Sequence, residues 1–571
     1  MEMVQIYFVR ENVRFAAQAG QTLLEAQVAA GLRPDAPCGG QGTCGKCLAE
    51  IRRPGQGVWE TVKACQTPLR EDLEVRTIDR NRDMRVLSEG AAAVEAGCSP
   101  WVECVALQVA PCRTGESVAD WTRLRAALDQ ALGKRDWAID VPLLARLGGL
   151  LRKTGGKIAA AVAREQVLDL WEAVRPCYMA AFDVGTTSIA GYLIQADNRA
   201  VAAKAGMLNP QAQYGADVIQ RANYALEHGA APLADCVHRA VDGLLGQLCA
   251  QAGADRETVL AVSVVGNTCM HHLFLGISPE SLAYAPYNPT VSNGLILRAR
   301  DYGIAAHPRA ALLALPVIAG FVGADTIGCL LSGGWDKLEE LTLMIDIGTN
   351  GELVLGTRER MIACSTAAGP AFEGAKIQCG MRGADGAVDH VYLENGAVKW
   401  HVIGEEAAKG ICGSGLIDLL GVLRRTGDID ETGKLLCGTE YRLGDTQVVL
   451  TQRDIREVQL AKGAIAAGIR LLAEQLGVVL EDIRKVNIAG AFGNYMDPNS
   501  ACDIGLIPVE LRHKTCPVGN AAGEGAKLAL LDRGAWERAE NLARKAEFLE
   551  LATLPGFQDA FVEAMEFPEL D

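Results

Sequence analysis

What the 571-residue chain lacks narrows its function before any motif is read. No apolar run reaches the length needed to cross a bilayer, which argues against a membrane protein. The opening MEMVQIYFVRENVRF alternates like a strand, and no basic stretch leads into an apolar one, so no secretory leader is recognised. A cytoplasmic location is therefore expected. Excess positive charge is missing too: 55 Lys and Arg stand against 70 Asp and Glu, for a formal net charge of -15 and a pI near 5.2. Binding a phosphate backbone requires a basic footprint, so no nucleic-acid partner is expected. The composition, 49% apolar and 22% charged, is not that of a disordered chain. Its length exceeds what one core organises, and three or four structural units are expected. The 18 cysteines are spread too irregularly for a disulfide framework, except at one place.

That place is Cys38-GGQGT-Cys44-GK-Cys47, followed by Cys65, a spacing of C-x5-C-x2-C-x17-C. Four thiolates are the ligand set of an iron–sulfur cluster. A short loop wrapped round the inorganic core must turn its N–H groups toward the sulfurs, and Gly39, Gly40, Gly42 and Gly45 permit the backbone angles this takes. A structural zinc site is one alternative, although it ordinarily shows two C-x2-C pairs where this chain has one. Cysteines merely packed in a core are the other. Upstream, Val4 to Phe8 and Val13 to Ala16 read as a hairpin, and T22-LLEAQVAAG reads as a helix with Thr22 as N-cap and Glu25 closing the capping box. This is the order of elements in a small ferredoxin. The cysteine spacing resembles the vertebrate-type and bacterial [2Fe-2S] ferredoxins, so a [2Fe-2S] cluster on Cys38, Cys44, Cys47 and Cys65 is expected.

After about Asp79 clear periodicity is lost, and residues 80–98 read as a connector. Residues 99–176 read as a small mixed domain without chemistry of its own. A strand over Val102 to Val109 is expected there, with helices over Val118 to Leu132, Val141 to Thr154 and Arg164 to Val174. Cys98, Cys104 and Cys112 are expected to be buried apolar residues rather than further cluster ligands.

An internal repeat dominates the remainder. M179-AAFDVGTTSIAGYLI and M344-IDIGTNGELVLG share an apolar strand, D-x-G-T, a turn and a second apolar strand. Such a hairpin exposes backbone N–H groups and hydroxyls at its tip, which hold phosphate oxygens without a lysine. The strand-end aspartates, Asp183 and Asp346, are suited to orient Mg²⁺ or an attacking water. One D-G-T turn is weak, because Asp-Gly turns form hairpins for conformational reasons alone; two copies a domain apart are a much stronger signal. V486-NIAGAFGNYMDP adds a strand running into Gly490, Ala491, Phe492 and Gly493, where backbone can approach an adenosine. G410-ICGSG415 starts a helix at Gly413, Ser414 and Gly415, a natural contact for an anion or nucleotide.

These features resemble the actin, sugar kinase and Hsp70 superfamily, in which two ribonuclease-H-like subdomains close around ATP. The resemblance implies that Asp183, Gly185, Thr186 and Thr187 face the phosphates from one side, and Asp346, Gly348, Thr349 and Asn350 from the other. Further segments, N209-PQAQYGADVIQR, V265-GNTCMHHLFLGI, G320-FVGADTIG, A367-AGPAFEGAKI and G519-NAAGEGA, narrow it. Together with the cysteine cluster they resemble the reductive activators of corrinoid proteins, which use ATP to return an inactive Co(II) corrinoid to Co(I). The implied fold is multidomain α/β: a β-grasp-like [2Fe-2S] ferredoxin over 1–79, a small α+β middle domain, and a duplicated ribonuclease-H-like ATPase over 177–571. The same resemblance implies ATP and Mg²⁺ as cofactors, a Co(II) corrinoid protein as electron acceptor, an upstream reductant such as a ferredoxin or flavodoxin, and a homodimer.

Two other readings compete. Activators of acyl-CoA dehydratases and aryl-CoA reductases share the ATP fold and bind a [4Fe-4S] cluster between subunits; Cys364 before A-A-G-P is faintly similar, but those proteins are shorter and lack the ferredoxin segment. A kinase fused to a redox domain is the second. Among single residues, Asp325 and Glu373 read as holders of Mg²⁺ or the catalytic water, or as plain helix caps. His271 and His272 read as structural histidines, and Cys364, Cys379 and Cys412 as packed in cores.

Overall fold

A computed structural model describes residues 3–32, 34, 36, 40, 42, 47–55, 58–77, 98–490 and 495–570. In the strand Met3–Phe8 every second residue, Val4, Ile6 and Phe8, is buried, the alternation of a sheet with one covered face. This strand pairs antiparallel with Val13–Gln18 and parallel with Leu73–Thr77. Leu48–Arg52 and Glu60–Lys63 complete a five-stranded mixed sheet. The helix Leu23–Ala29 covers its apolar face through Leu23 and Ala26. The expected capping box is present, with the Thr22 hydroxyl accepting from the Glu25 N–H and the Glu25 carboxylate accepting from the Thr22 N–H. This is the β-grasp arrangement expected of a small ferredoxin.

The middle unit departs from expectation. Strand Val102–Gln108 and helices Asp120–Leu132 and Val141–Thr154 are present, but no helix spans Arg164 to Val174. Lys157–Ala163 and Gln166–Trp171 form an antiparallel hairpin instead, turning at Arg164 with φ +53°. The reason is that Lys157–Ala163 is covered on both faces. Ala160 and Val162 pack under the two helices, while Ala159, Ala161 and Ala163 pack against the adjoining unit. A strand buried on both sides loses the alternation by which strands are recognised. The cysteine expectation also needs correction: Cys104 is joined to Cys177 by a disulfide, Cys98 is half-buried and Cys112 is exposed.

Two sheets built alike follow. The first runs Val201–Leu208, Ser188–Gln195, Tyr178–Val184, Val259–Val265, Ala311–Ala314, Leu295–Arg298. In the second, the core order is Met361–Thr366, Gly351–Gly356, Thr342–Ile347, Lys485–Ala489, Thr515–Gly519, with Ala546–Phe548 added at one edge. In both, the first three strands in sequence are antiparallel, a further strand pairs parallel to the first, and another pairs parallel to that one. This is the duplicated ribonuclease-H-like fold. The middle unit is mounted on it through the Trp101 N–H donating to Leu530 O at 2.7 Å, the Arg309 Nε donating to Asp140 Oδ2 at 2.6 Å, and an ion pair between Arg533 and Glu103.

Helices Ala324–Ser332 and Ala521–Leu531 cross between the two sheets and share one core with Met179 and Ala181 of the first and Met344 and Val354 of the second. The crossing depends on glycine. A Cβ on Gly525 would lie 2.2 Å from Gly328 O, and one on Gly328 would lie 2.7 Å from Ala522 O. Both contacts are to backbone, which cannot step aside as a side chain can. Gly525→Ala is therefore expected to destabilise the two-lobed unit by about 1–3 kcal/mol, read as a lower midpoint in thermal or denaturant unfolding. An unchanged midpoint would contradict the tight crossing.

Candidate functional site

The two repeats fold into tight hairpins whose tips meet. In the first, Val184 pairs with Ile189 and the Gly185 N–H donates to Ser188 O at 2.9 Å, leaving Thr186 and Thr187 at the tip. In the second, Ile347 pairs with Gly351 and the Gly348 N–H donates to Asn350 O at 2.9 Å, leaving Thr349 at the tip. Glu373 joins them. The Thr187 hydroxyl donates to one of its carboxylate oxygens at 2.6 Å, and the Thr349 hydroxyl donates to the other at 2.5 Å. Glu373 thus bridges the two lobes and is no helix cap.

Three half-buried aspartates lie on the elements that meet near the tips, Asp183 and Asp346 in the strands leading into them and Asp325 in the first turn of helix Ala324–Ser332. Asp183 is pushed up to about 7, by burial first and by the nearby Asp346 carboxylate, while the Asn520 amide donating to its Oδ2 at 3.0 Å works the other way. Burial and Asp346 push Asp325 up to about 8, against the Thr326 N–H that donates to it at 2.7 Å. Asp346 is pushed up to about 6 by burial, opposed by the Cys329 thiol 3.8 Å from its Oδ2. Each of these carboxyls therefore holds its proton more tightly than it would in water, chiefly because burial disfavours the charged form.

Several residues that sequence reasoning did not single out support the site, and five of them lie in segments quoted above for the resemblance. Asn267 caps helix Thr268–Leu275 with its oxygen and donates its Nδ2 to the Thr186 hydroxyl at 2.8 Å. Asn209 donates its Nδ2 to Gly185 O at 2.8 Å. Asn520 holds Asp183 and, through its oxygen, the N–H of Gly523 at 2.8 Å. Gly266 and Gly323 let these pieces close up: a Cβ on Gly266 would lie 2.5 Å from Val184 O, and one on Gly323 would lie 2.4 Å from Asn267 Cα. Glu352, the cross-strand partner of Asp346, is buried and pushed well above the usual carboxylate range by burial, then by Asp325 and Asp346. Only its place in the second hairpin marked it.

The glycine-rich elements divide. Gly490 takes φ +88°, and a Cβ there would lie 2.9 Å from Asp346 Oδ1, so this backbone touches the acidic floor. Ala491, Phe492 and Gly493 lie outside the described residues. Gly413, Ser414 and Gly415 begin helix Gly413–Arg425, but here the structure shows a packing reason. The Ser414 hydroxyl donates to Asp389 O at 2.8 Å, and a Cβ on Gly415 would lie 2.3 Å from Val388 O.

At the cysteine site Cys47 and Cys65 are described, while Cys38 and Cys44 lie outside the described residues, as do Gly39 and Gly45. The Cys65 N–H donates to Cys47 Sγ at 3.5 Å, a backbone donor aimed at sulfur. Gly40 and Gly42 hold φ +88° and +77°, angles that favour glycine.

Elsewhere, His272 is buried, bound to Thr268 O through Nδ1 at 2.9 Å and accepting the Thr290 N–H at Nε2, also at 2.9 Å; buried His271 beside it is pushed down to about 3 by burial. Both are internal. Cys364 is enclosed in the core of the second lobe, Cys412 is buried, and half-buried Cys379 accepts the Val449 N–H at 3.4 Å. An enclosed Cys364 removes the one feature that favoured an inter-subunit cluster. Among the described residues no group of three or more His, Cys, Asp or Glu side chains is close enough to hold a metal ion, and no helix is long and apolar enough to cross a membrane.

Comparison with known proteins adds independent findings. Residues 340–571 match the family profile described as the C-terminal domain of RACo, the ASKHA domain; 178–338 match the RACo middle region; 93–175 match the RACo linker region; 7–70 match a 2Fe-2S iron-sulfur cluster binding domain. The chain is 32% identical over 564 residues to the corrinoid activation enzyme RamQ of Eubacterium limosum, covering 93% of this chain and 94% of that protein. It is 26% identical over 418 residues to a [Co(II) methylated amine-specific corrinoid protein] reductase of Methanosarcina barkeri, covering 67% and 76%. A solved reductive activator for corrinoid, iron-sulfur protein superposes with a TM-score of 0.77 at 32% identity, over 100% of this chain and 99% of that one.

The acidic floor makes a testable demand on stability. A carboxyl whose folded value is raised keeps a proton that the unfolded chain releases, so its contribution to stability falls as pH rises from about 4 toward the folded value. For Asp325 that value is about 8. Asp325→Asn is expected to raise the melting midpoint, slightly at pH 5 and most at pH 8 and above. A gain independent of pH, or a loss, would show that Asp325 is not strained by its surroundings.

Proposed function

This chain belongs to the RACo family, and from that premise we propose that it is an ATP-dependent reductive activator, passing one electron from a [2Fe-2S] site on its N-terminal unit to the inactive Co(II) state of a corrinoid protein and so returning it to Co(I). The observation that carries this reading is the Glu373 bridge between Thr187 and Thr349. It brings two hydroxyl-bearing tips from separate lobes to within reach of one anionic group, which is what holding a shared phosphate requires.

We assign Thr186, Thr187, Thr349 and Asn350, with the backbone of Gly185 and Gly348, to the phosphate oxygens, and the Gly490 loop to the rest of the nucleotide. Glu373 is assigned to orient the attacking water and take its proton, because its carboxylate lies between the hydroxyls that would hold the terminal phosphate. Asp183, Asp325 and Asp346 would hold Mg²⁺. Mg²⁺ keeps several waters and binds through one or two carboxylates and the phosphates. When bound, it neutralises phosphate charge.

The described part of the cysteine site suits an iron–sulfur cluster on Cys38, Cys44, Cys47 and Cys65, which supplies a one-electron store. Cys47 sits in the core of the N-terminal sheet, where burial and the Cys65 N–H govern the sulfur's surroundings. An upstream reductant such as a ferredoxin or flavodoxin is proposed to refill this store. A homodimer, on the strength of the family resemblance, and a cytoplasmic setting, from the sequence reading above, complete the proposal.

The test is anaerobic reconstitution, followed by spectroscopic measurement of Co(II) loss from a corrinoid protein supplied with reductant, with and without Mg-ATP. Co(II) loss is expected only with nucleotide. Glu373→Gln and Thr349→Val are expected to slow it roughly 100-fold while leaving the iron-linked visible absorbance intact. Cys65→Ser is expected to lose that absorbance and still bind ATP. Equal rates without nucleotide would sink the proposal.

A further inference from the structure

The first hairpin tip turns its carbonyls inward. Gly185 O accepts from Asn209 Nδ2 at 2.8 Å, Thr186 O from Arg221 Nη2 at 2.6 Å, and Thr187 O from the Asn209 backbone N–H at 2.9 Å. A peptide unit is planar and trans, so a carbonyl drawn one way sends the following N–H the other way. The N–H groups of Thr186 and Thr187 therefore point away from Asn209 and Arg221. Among the described residues neither meets a protein acceptor. Successive N–H groups turned outward form a cradle for an anion.

Arg221 is unusual among the residues behind the tip. It is 0% exposed. Besides Thr186 O, its Nε donates to Gly215 O at 2.9 Å, and its Nη1 lies 3.5 Å from Gln211 Oε1 and 3.2 Å from Met270 Sδ. Every one of these acceptors is neutral. Among the described residues no carboxylate forms an ion pair with it. Burial pushes it down to about 10, so the guanidinium keeps its charge at neutral pH. Asp217, the N-cap of its helix, and Glu373 at the tips favour that charge from beyond ion-pairing distance, so the desolvation of this buried cation is offset only in part.

We propose that Arg221 is a positioning residue for the nucleotide's phosphates: it holds the Thr186 carbonyl inward so that the tip's N–H groups face the phosphate, and it sets a buried guanidinium, hydrogen-bonded only to neutral acceptors, directly behind them. The inference rests on reading the two tips as the phosphate site. A purely structural arginine, tying the Gly215 loop and helix Val218–His228 to the hairpin, would make a different prediction: its loss would weaken every ligand of the cleft alike.

The deciding measurement is the affinity of the full-length, reconstituted protein for adenosine, ADP and ATP in the presence of Mg²⁺, for wild type, Arg221→Met and Arg221→Lys. Arg221→Met is expected to weaken ATP binding roughly 10–100-fold, ADP less, and adenosine by no more than about twofold. Arg221→Lys keeps the charge but not the fork, and is expected to show the same order with smaller losses; it decides the matter if the methionine variant does not fold. Equal losses for all three ligands, or unchanged ATP affinity in a folded variant, would overturn the inference. A wild type that binds none of the three would overturn the phosphate-site reading itself, a result distinct from equal losses.

Discussion

One carboxylate between two hydroxyls fixes the geometry of the ATPase half. Thr187 and Thr349 stand at the tips of hairpins on different sheets, and each donates to a different oxygen of Glu373, at 2.6 and 2.5 Å. Short bonds to an ionised acceptor are strong and directional. They can join the tips only if each tip is itself rigid. On the first side that rigidity comes from Asn209 and Asn267, and from the close passage of Gly266 under Val184 O. On the second side it comes from the Gly348–Asn350 turn and from Gly490 lying against Asp346. The helix crossing at Gly328 and Gly525 then sets how the two lobes meet at depth. Tip, floor and crossing form one continuous path of contacts between the sheets.

The carboxyls gathered near the tips are held where the fold disfavours their charge. Asp183, Asp325 and Asp346 are each held above the ordinary carboxylate range, and buried Glu352 is held there with them. Burying carboxyls, and then setting them near one another, opposes folding once they ionise. Packing elsewhere offsets that opposition, notably the apolar core shared by Met179, Met344 and the two crossing helices. On the proposed reading, bound Mg²⁺ would relieve that cost, a compromise of stability for function.

Much of this was legible from residues alone, for definite reasons. The strands of the first hairpin declared themselves because Val4, Ile6 and Phe8 alternate, and Thr22 and Glu25 declared a helix start because a capping box needs those types three apart. Asp183 and Asp346 were legible because the same turn chemistry occurs twice. The hairpin at Lys157–Ala163 was illegible because both its faces are covered, which erases period two. The Cys104–Cys177 disulfide joins residues 73 positions apart, a pairing no local pattern announces. Asn209, Asn267 and Asn520 were hidden for another reason: each acts by a side-chain amide on a distant turn, and an asparagine beside a helix start reads as a cap. Glu373 was read as chemistry or cap, and only the meeting of two lobes shows that it bridges them.

The arrangement also bounds how nucleotide can act on electron transfer. For a one-electron step, every 59 mV of uphill potential corresponds to about 1.4 kcal/mol, so a deficit of a few hundred millivolts asks for several kcal/mol. A ligand shifts a conformational equilibrium only by its difference in affinity for the two states. A nucleotide resting on one hairpin alone would bind open and closed lobes alike and shift nothing. A phosphate that engages Thr187 and Thr349 together loses one set of contacts when the lobes part, and that difference is the quantity available for work. Because Trp101, Asp140 and Glu103 fasten the middle unit to the ATPase half through Leu530, Arg309 and Arg533, any rearrangement of the lobes is delivered at that attachment. On the proposed reading, the coupling free energy is therefore set at the hairpin tips and expressed in how the corrinoid partner is held, not in the chemistry of the cysteine site.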